Sequence, residues 1–368
     1  MTAVIADRWA RSVAGVRKTD WSAVALAFAI GAVGGLVFNH FRLPLAWMLG
    51  PMVAVTIAAT ARAKVVLPEP LRAVCNGMLG LLLGSTFTPD IFGRVAQWAV
   101  TLGVLIVYVM LIAATIVVIF RRVFGFDPVT AYFAAMPGGI AEMTIIGSAM
   151  GGDGRTIALF HGARVLVVAF CVPMGFRFLA GYVPQSIAAM AANAPSLGLA
   201  DIVILTLCGT VGYFIALRAR FPAPTMTGPL LLSMIAHVSG LTAARLPALL
   251  IIIGQIGVGA SIGCRFSGVK PATILRTLGL ATITVIVMLV MSLAFATGLS
   301  HITGLPYEEL VLAYAPGGIT EMCLVAYVLG FDVTFVATHH VVRFVFVIIF
   351  APIAAKFMGT LRPKPKLG

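Results

Sequence analysis

Charge is what this chain has least of. Only 10% of its 368 residues are Asp, Glu, Lys or Arg, against roughly 25% in a soluble globular domain. No stretch is polar enough and long enough to form a soluble catalytic or nucleic-acid-reading domain. Cysteine is sparse too: Cys75, Cys171, Cys208, Cys264 and Cys323 are scattered without a CxxC pair, which excludes a disulfide framework and a zinc site and leaves them as small core residues. The six histidines (His40, His161, His237, His301, His339 and His340) form no HxH or HExxH, so neither a metal centre nor a cofactor is expected. A P-loop, a Gly-x-Gly-x-x-Gly turn and a nucleophile elbow are all missing. ATP-driven transport and hydrolase chemistry therefore have no support, and the reading leans away from an enzyme without deciding it.

What is present is apolar mass. Hydrophobic residues make up 61% of the chain and the mean hydropathy is +1.08. They are spread from Trp21 to Phe357, so neither a cleaved signal peptide nor a single anchor accounts for them. Segments free of charge run 21–41, 43–61, 73–89, 95–120, 202–217, 221–244, 246–264 and 277–307, most of them near the ~20 residues that cross a ~30 Å hydrocarbon layer. Four more apolar segments carry a single interior charge. The expectation is an all-α integral membrane protein of the plasma (inner) membrane with twelve apolar segments, six in each half. Its first partner is the lipid bilayer. The net charge of +13 would suggest nucleic acid in a soluble protein; here the basic residues sit in short loops and tails beside apolar runs, so no direct nucleic-acid partner is expected.

The halves read as copies. Laying Phe133–Pro173 over Leu312–Pro352 puts AMPGGIAEM on YAPGGITEM and aligns Gly151 with Gly330, Asp153 with Asp332, His161 with His340, Arg164 with Arg343 and Pro173 with Pro352; 14 of 41 positions are identical. Upstream, RLPLAWMLGP (42–51) matches RFPAPTMTGP (220–229), and Gly80, Gly84 and Phe87 fall on Gly259, Gly263 and Phe266. The organisation this predicts is a cytoplasmic N-terminal segment 1–20, a membrane repeat 21–177, a linker 178–200, a second repeat 201–357 and a basic cytoplasmic tail 358–368.

Charge placement selects a topology. If all twelve segments cross and the N-terminus is cytoplasmic, Lys+Arg outside the two buried arginines divide 15 inside to 8 outside. If the PGG segments, 128–152 and 307–331, enter and leave on one side, the division becomes 19 to 4, which fits the positive-inside rule far better. Pro-Gly-Gly cannot continue a helix and leaves arms of about ten residues, ~15 Å long. Each repeat is therefore expected to hold about five transmembrane helices plus one re-entrant PGG helical hairpin, with the second repeat inverted and both termini cytoplasmic. A broken crossing helix is the structural rival. Non-helical backbone at that depth survives when packed in protein or lining a wet cavity, the arrangement of secondary transporters.

The candidate substrate- or ion-binding residues are Pro137, Gly138, Gly139, Glu142, His161 and Arg164, with Pro316, Gly317, Gly318, Glu321, His340 and Arg343. Glu142 and Glu321 fall in the first turn after each PGG, where free backbone N–H groups stabilise an anion. Each either caps its own half-helix or takes a coupling ion or proton near the midplane, the reading favoured because intramembrane carboxylates are costly. His161/Arg164 and His340/Arg343 share a helical face at i, i+3. A buried arginine needs a counter-charge; Glu142, Glu321, Asp153 and Asp332 are the candidates, and a structural ion pair competes with an anionic-substrate clamp. Asp153 and Asp332 read as N-caps, His339 as local packing, and the Gly80/Gly84 and Gly259/Gly263 pairs as close helix contacts. Pro44, Pro222, Gly50-Pro51 and Gly228-Pro229 read as breaks that bend or partly unwind their helices.

At PGGIAEM and PGGITEM, with HGAR and HHVVR downstream, the chain resembles the membrane AbrB family, built from two AbrB duplication domains, over about residues 25–355. Members often carry an ammonia monooxygenase or gene-regulation label, which the residues themselves do not show. The leading expectation is a secondary transporter of a small polar or anionic solute, coupled to H⁺ or Na⁺, working by alternating access around the two PGG motifs. A membrane-embedded regulator or sensor that affects gene expression indirectly is the alternative, and a membrane monooxygenase comes third. A homo-oligomer is compatible with the sequence.

Overall fold

The computed structural model describes residues 19–89, 93–94, 96–185, 197–219, 221 and 223–357. Nearly all of the predicted N-terminal segment, residues 186–196 of the linker, Arg220, Pro222 and the basic tail lie outside the described residues. Among the described residues every regular element is helical. The first half holds α1 (Trp21–His40), α2 (Ala46–Thr60), α3 (Glu69–Gly84), a 3-10 turn at Ala96–Trp98, α4 (Ala99–Arg122), α5 (Pro128–Ala135), α6 (Ile140–Ala149) and α7 (Gly154–Phe178). The second half holds α8 (Leu199–Arg218), α9 (Pro224–Val238), α10 (Ala248–Cys264), α11 (Pro271–Thr303), α12 (Tyr307–Tyr314), α13 (Ile319–Leu329) and α14 (Val333–Phe357). Six of these are long and apolar enough to cross a bilayer, falling at α1, α4, α7, α8, α11 and α14. Large apolar side chains such as Val107, Leu111, Val203, Leu207 and Val290 stand on their outer faces. The chain is a multi-pass membrane protein in contact with lipid.

The helices gather into two compact units that cut across the sequence halves. The first holds α1–α3 with α8–α10; the second holds α4–α6 with α12–α14 and most of α7 and α11. In the first unit the packing is backbone on backbone. A side chain on Gly50 would run into the Gly34 carbonyl, and one on Gly228 into the Gly212 carbonyl. Gly80 and Gly84 lie equally close to Met226 and Leu230, and Gly259 and Gly263 to Met48 and Thr56. Such close approach is how helices associate where lipid removes the hydrophobic drive between them. Because the obstacle at Gly50 is backbone and cannot swing aside, Gly50→Ala should cost about 1–3 kcal/mol. Thermal unfolding in detergent measures this, with Gly103→Ala, whose added methyl meets nothing within 4 Å, as the neutral control; equal effects would remove the packing account.

The expected proline breaks divide in two, with a departure beside Pro44 and Pro222 and no unwinding at the Gly-Pro steps. Pro51 and Pro229 lie inside α2 and α9, which run through without interruption. The backbone departs just ahead of each helix, at the residues that follow Pro44 and Pro222 in sequence, Leu45 (φ 48°) and Ala223 (φ 47°), both left-handed.

In the second unit the breaks fall where the sequence places them. The Asp127 carboxylate accepts from Val129 N–H (3.1 Å) and Thr130 N–H (3.0 Å) to start α5, with Pro128 in the first turn, where its missing N–H costs nothing. The helix stops at Ala135 because Met136 precedes Pro137 and is forced to extended backbone, φ −58° and ψ 129°. Ala315, before Pro316, does the same at φ −57° and ψ 139°. New helices begin after Gly139 and Gly318, and α13 ends on left-handed Gly330 (φ 78°).

Candidate functional site

Stopping a helix at Pro-Gly-Gly strands its last carbonyls inside apolar surroundings, where an unmade hydrogen bond is expensive. The H-x-x-R pair of the next long helix supplies the donors. His161 Nε2 lies 2.9 Å from Phe133 O, Arg164 Nη1 donates to Met136 O at 3.0 Å, and Arg164 Nη2 reaches toward Gly138 O at 3.4 Å. In the second half His340 Nε2 lies 2.9 Å from Leu312 O, and Arg343 donates to Ala315 O and Gly317 O, both at 2.6 Å. The sequence separations are 28, 28 and 26 residues in both halves. The arginines thus spend the outer fork of the guanidinium on backbone carbonyls, where the sequence argument looked for carboxylates; that expectation is corrected.

These contacts also set the histidine tautomer. A carbonyl only accepts, so Nε2 of His161 and His340 carries the hydrogen. Nδ1 faces the arginine Nη2, at 3.0 Å for His161 and 2.9 Å for His340. A guanidinium only donates, so Nδ1 is bare and both rings are neutral. A proton on Nδ1 would have to displace the arginine. The histidines therefore orient the arginines and are poor proton carriers in this arrangement.

Glu142 and Glu321 stand where expected, in the first turns of α6 and α13. Each carboxylate folds back over the glycine that begins its helix, so that a side chain on Gly139 or Gly318 would collide with it. This is the sequence position of a capping-box glutamate. The two differ in burial: Glu321 is 7% exposed, whereas Glu142 is half-buried.

The far ends of each broken pair are tied together. Asp153 N–H donates to Thr130 Oγ1 at 2.8 Å, and Asp332 N–H to Glu309 Oε1 at 3.1 Å. Both aspartates cap the following helix. Asp153 accepts from Arg155 N–H (3.0 Å) and from the Thr156 hydroxyl, and Asp332 from Thr334 N–H (2.8 Å) and Phe335 N–H (3.1 Å). The Thr156 hydroxyl, more than any other cause, holds the Asp153 carboxyl below the usual carboxylate range. That contribution to stability is present above about pH 4 and fades as pH falls through the lowered value. Asp332 also meets Arg94 at 2.5 Å, a pairing that Asp153 has no counterpart for among the described ion pairs.

Sequence reasoning missed a second set of groups. The Tyr108 hydroxyl donates to Tyr314 O at 2.7 Å and lies 3.2 Å from Ser292 Oγ. The Tyr314 hydroxyl donates to Thr101 O at 2.5 Å, and His339 Nε2 lies 2.9 Å from Thr101 Oγ1. The polar hydroxyl of Tyr108 within an otherwise apolar run was the available signal. In the first half the residue opposite His339 is Phe160, packed in a box with Phe120, Phe124 and Phe126. His339 is thus more than local packing, and the two halves differ in polarity here. Of the cysteines, Cys75, Cys208 and Cys323 are buried as expected, and Cys171 is exposed. Among the described residues no three His, Cys, Asp or Glu side chains gather in a way that could hold a metal ion.

Comparison with known proteins places these features in a lineage. The chain is 24% identical over 349 residues to the protein named "Putative regulator AbrB" of Escherichia coli (strain K12), covering 94% of this chain and 98% of the relative. It is 26% identical over 347 residues to "Uncharacterized protein YhjN" of Bacillus subtilis (strain 168), covering 88% of this chain and 90% of the relative. The family model described as "Transition state regulatory protein AbrB" matches residues 47–359, a stretch that contains both PGG motifs and both H-x-x-R pairs. The chain belongs to the AbrB family.

Proposed function

We propose that this protein is a secondary transporter of a small polar or anionic solute, coupled to H⁺ or Na⁺ and working by alternating access around the two PGG tips. The observation that carries the reading is the repeated broken-helix site. Two interrupted helix pairs, each clamped by a buried H-x-x-R and each with a carboxylate at its first turn, lie in one unit of a multi-pass membrane protein. Transporters place such interrupted helices where solute and coupling ion bind, and an ordinary structural core has no need to break two helices in apolar surroundings.

Two inverted repeats, each of five crossings and one re-entrant hairpin, complete the proposal. The bonds from Asp153 to Thr130 and from Asp332 to Glu309 support it, because they join the start of each broken pair to its end, as expected when a segment enters and leaves on one side. Single cysteines at Arg94 and Arg155 in a cysteine-free background test the topology. Membrane-impermeant labelling should find them on opposite sides; labelling of both from outside would favour twelve crossings.

Transport itself is tested in proteoliposomes loaded with a pH-sensitive dye and offered a panel of acetate, succinate, phosphate, sulfate and neutral amino acids, with and without Na⁺. Solute-dependent proton or Na⁺ movement that disappears in Glu142→Gln and Glu321→Gln supports the reading. Normal movement in both variants removes the site assignment. The name of the Escherichia coli relative favours one second reading, a membrane-embedded regulator or sensor that acts on gene expression indirectly. Ligand binding without flux in the same vesicles would support it.

A further inference from the structure

The fully buried charge at the two tips does not balance, half-buried Glu142 standing apart from that count. Among the described residues the buried ionised side chains of the second unit are Arg164 (6% exposed), Arg343 (4%) and Glu321 (7%), with His161 and His340 neutral by their hydrogen bonds. Two arginines are buried in this unit against one glutamate, an excess of one positive charge where an uncompensated charge is costly. The first tip lies against the helix that carries Arg343, since side chains added at Gly138 and Gly139 would meet Val347 and Phe344 of α14. The arginines' bonds to carbonyls and histidine leave donors over. Nε of Arg164 and Nε of Arg343 are buried and without a hydrogen-bond partner, and Nη1 of each has a second hydrogen for which no bond is described.

We infer that the site between the two PGG tips binds a small carboxylate or oxyanion, whose charge offsets the excess guanidinium and whose oxygens accept from the free Nε–H of Arg164 and Arg343. This narrows the solute of the proposed function and rests on the reading of the tips as a solute site. A neutral polar solute leaves the excess charge in place, and a cation adds to it. An anion with two or more oxygens does what no described side chain does, accepting from both arginines at once. The outer forks stay on the carbonyls, so binding needs no break in the helix clamps. Half-buried Glu142 sets the selectivity: its charge opposes anion entry, and neutralising it strengthens binding.

The test uses the purified full-length protein in detergent, with unfolding temperature followed against sodium acetate, succinate, phosphate and sulfate at constant ionic strength, and uncharged succinamide as the shape control. At least one anion should raise the unfolding temperature saturably by a few degrees, with succinamide inert. In Glu142→Gln the same anion should bind roughly threefold or more tightly, since one opposing charge is gone. In Arg164→Lys or Arg343→Lys the shift should be lost. Should either lysine variant fail to fold, Glu142→Gln decides alone. A flat response to all four anions in wild type and Glu142→Gln overturns the inference, and so does an equal response to succinamide or an unchanged affinity in Glu142→Gln. Anion binding without solute-driven flux would leave the site standing and remove the transport reading; flux carried by a neutral solute without anion binding would do the reverse.

Discussion

Alanine in place of Arg343 should lower stability by about 3 kcal/mol. The substitution removes donors to Ala315 O and Gly317 O at 2.6 Å and to His340 Nδ1 at 2.9 Å. Charge-assisted bonds contribute about 1.5–3 kcal/mol each in water-soluble proteins, and hydrogen bonds between membrane helices nearer 1 kcal/mol. Against this stands relief from burying a cation, worth several kcal/mol in the abstract. The loss wins because the carbonyls belong to a backbone that Pro316 and Gly317 prevent from closing into helix, so they cannot pair elsewhere once the arginine is gone. Arg164→Ala should cost less, about 1–2 kcal/mol, because its carbonyl bonds are longer at 3.0 and 3.4 Å. Lysine at 343 keeps the charge but cannot span two carbonyls and a ring nitrogen, so it should recover little of the loss. Thermal unfolding in detergent measures all three. An Arg343→Ala protein as stable as wild type would remove the clamp.

The second large effect concerns the carboxylates. Glutamine at position 321 should abolish coupled flux, and glutamine at 142 should reduce it by about tenfold or more, with both proteins unfolding within a degree or so of wild type. The reasoning turns on what glutamine retains. At the third position of a helix it caps as glutamate does, so a purely structural Glu321 would tolerate the change in both stability and flux. It cannot gain or lose a proton, nor offer a cation a full negative charge, so a coupling site would not tolerate it. Buried Glu321, 7% exposed, is expected to be the more sensitive. Flux in the dye-loaded vesicles together with unfolding temperature separates the roles: flux intact and stability intact means a cap, and flux lost with stability intact means a coupling site.

How much of this was legible beforehand depends on the range of the physics involved. Pro137 and Pro316 break their helices because a missing N–H and a steric clash act within a few residues, so the break was readable from the chain alone. The caps at Asp153 and Asp332 were readable for the same reason. The partner of Arg164 was not. It lies 28 residues away on the backbone of Met136, and a sequence displays carboxylates as obvious counter-charges while hiding carbonyls, which every residue has. That α2 runs on through Pro51 was not readable either, because the tight contact of Gly50 with Gly34 is made with another helix, whereas local propensity argues for an interruption.

Composition and spacing by themselves determined that the chain is apolar enough for lipid, that PGG interrupts a helix in each half, and that H-x-x-R and Glu accompany each interruption. These follow from short-range chemistry and from the transfer free energy of whole segments. Only the tertiary structure decided that the first three helices of each half pack into one unit and the later helices into another, that each arginine grips the carbonyls its broken helix leaves unpaired, and that two guanidiniums are buried with one carboxylate. Those outcomes depend on which distant groups meet in space, where a stranded carbonyl and a fixed fork of N–H donors satisfy each other at a cost lower than leaving either alone.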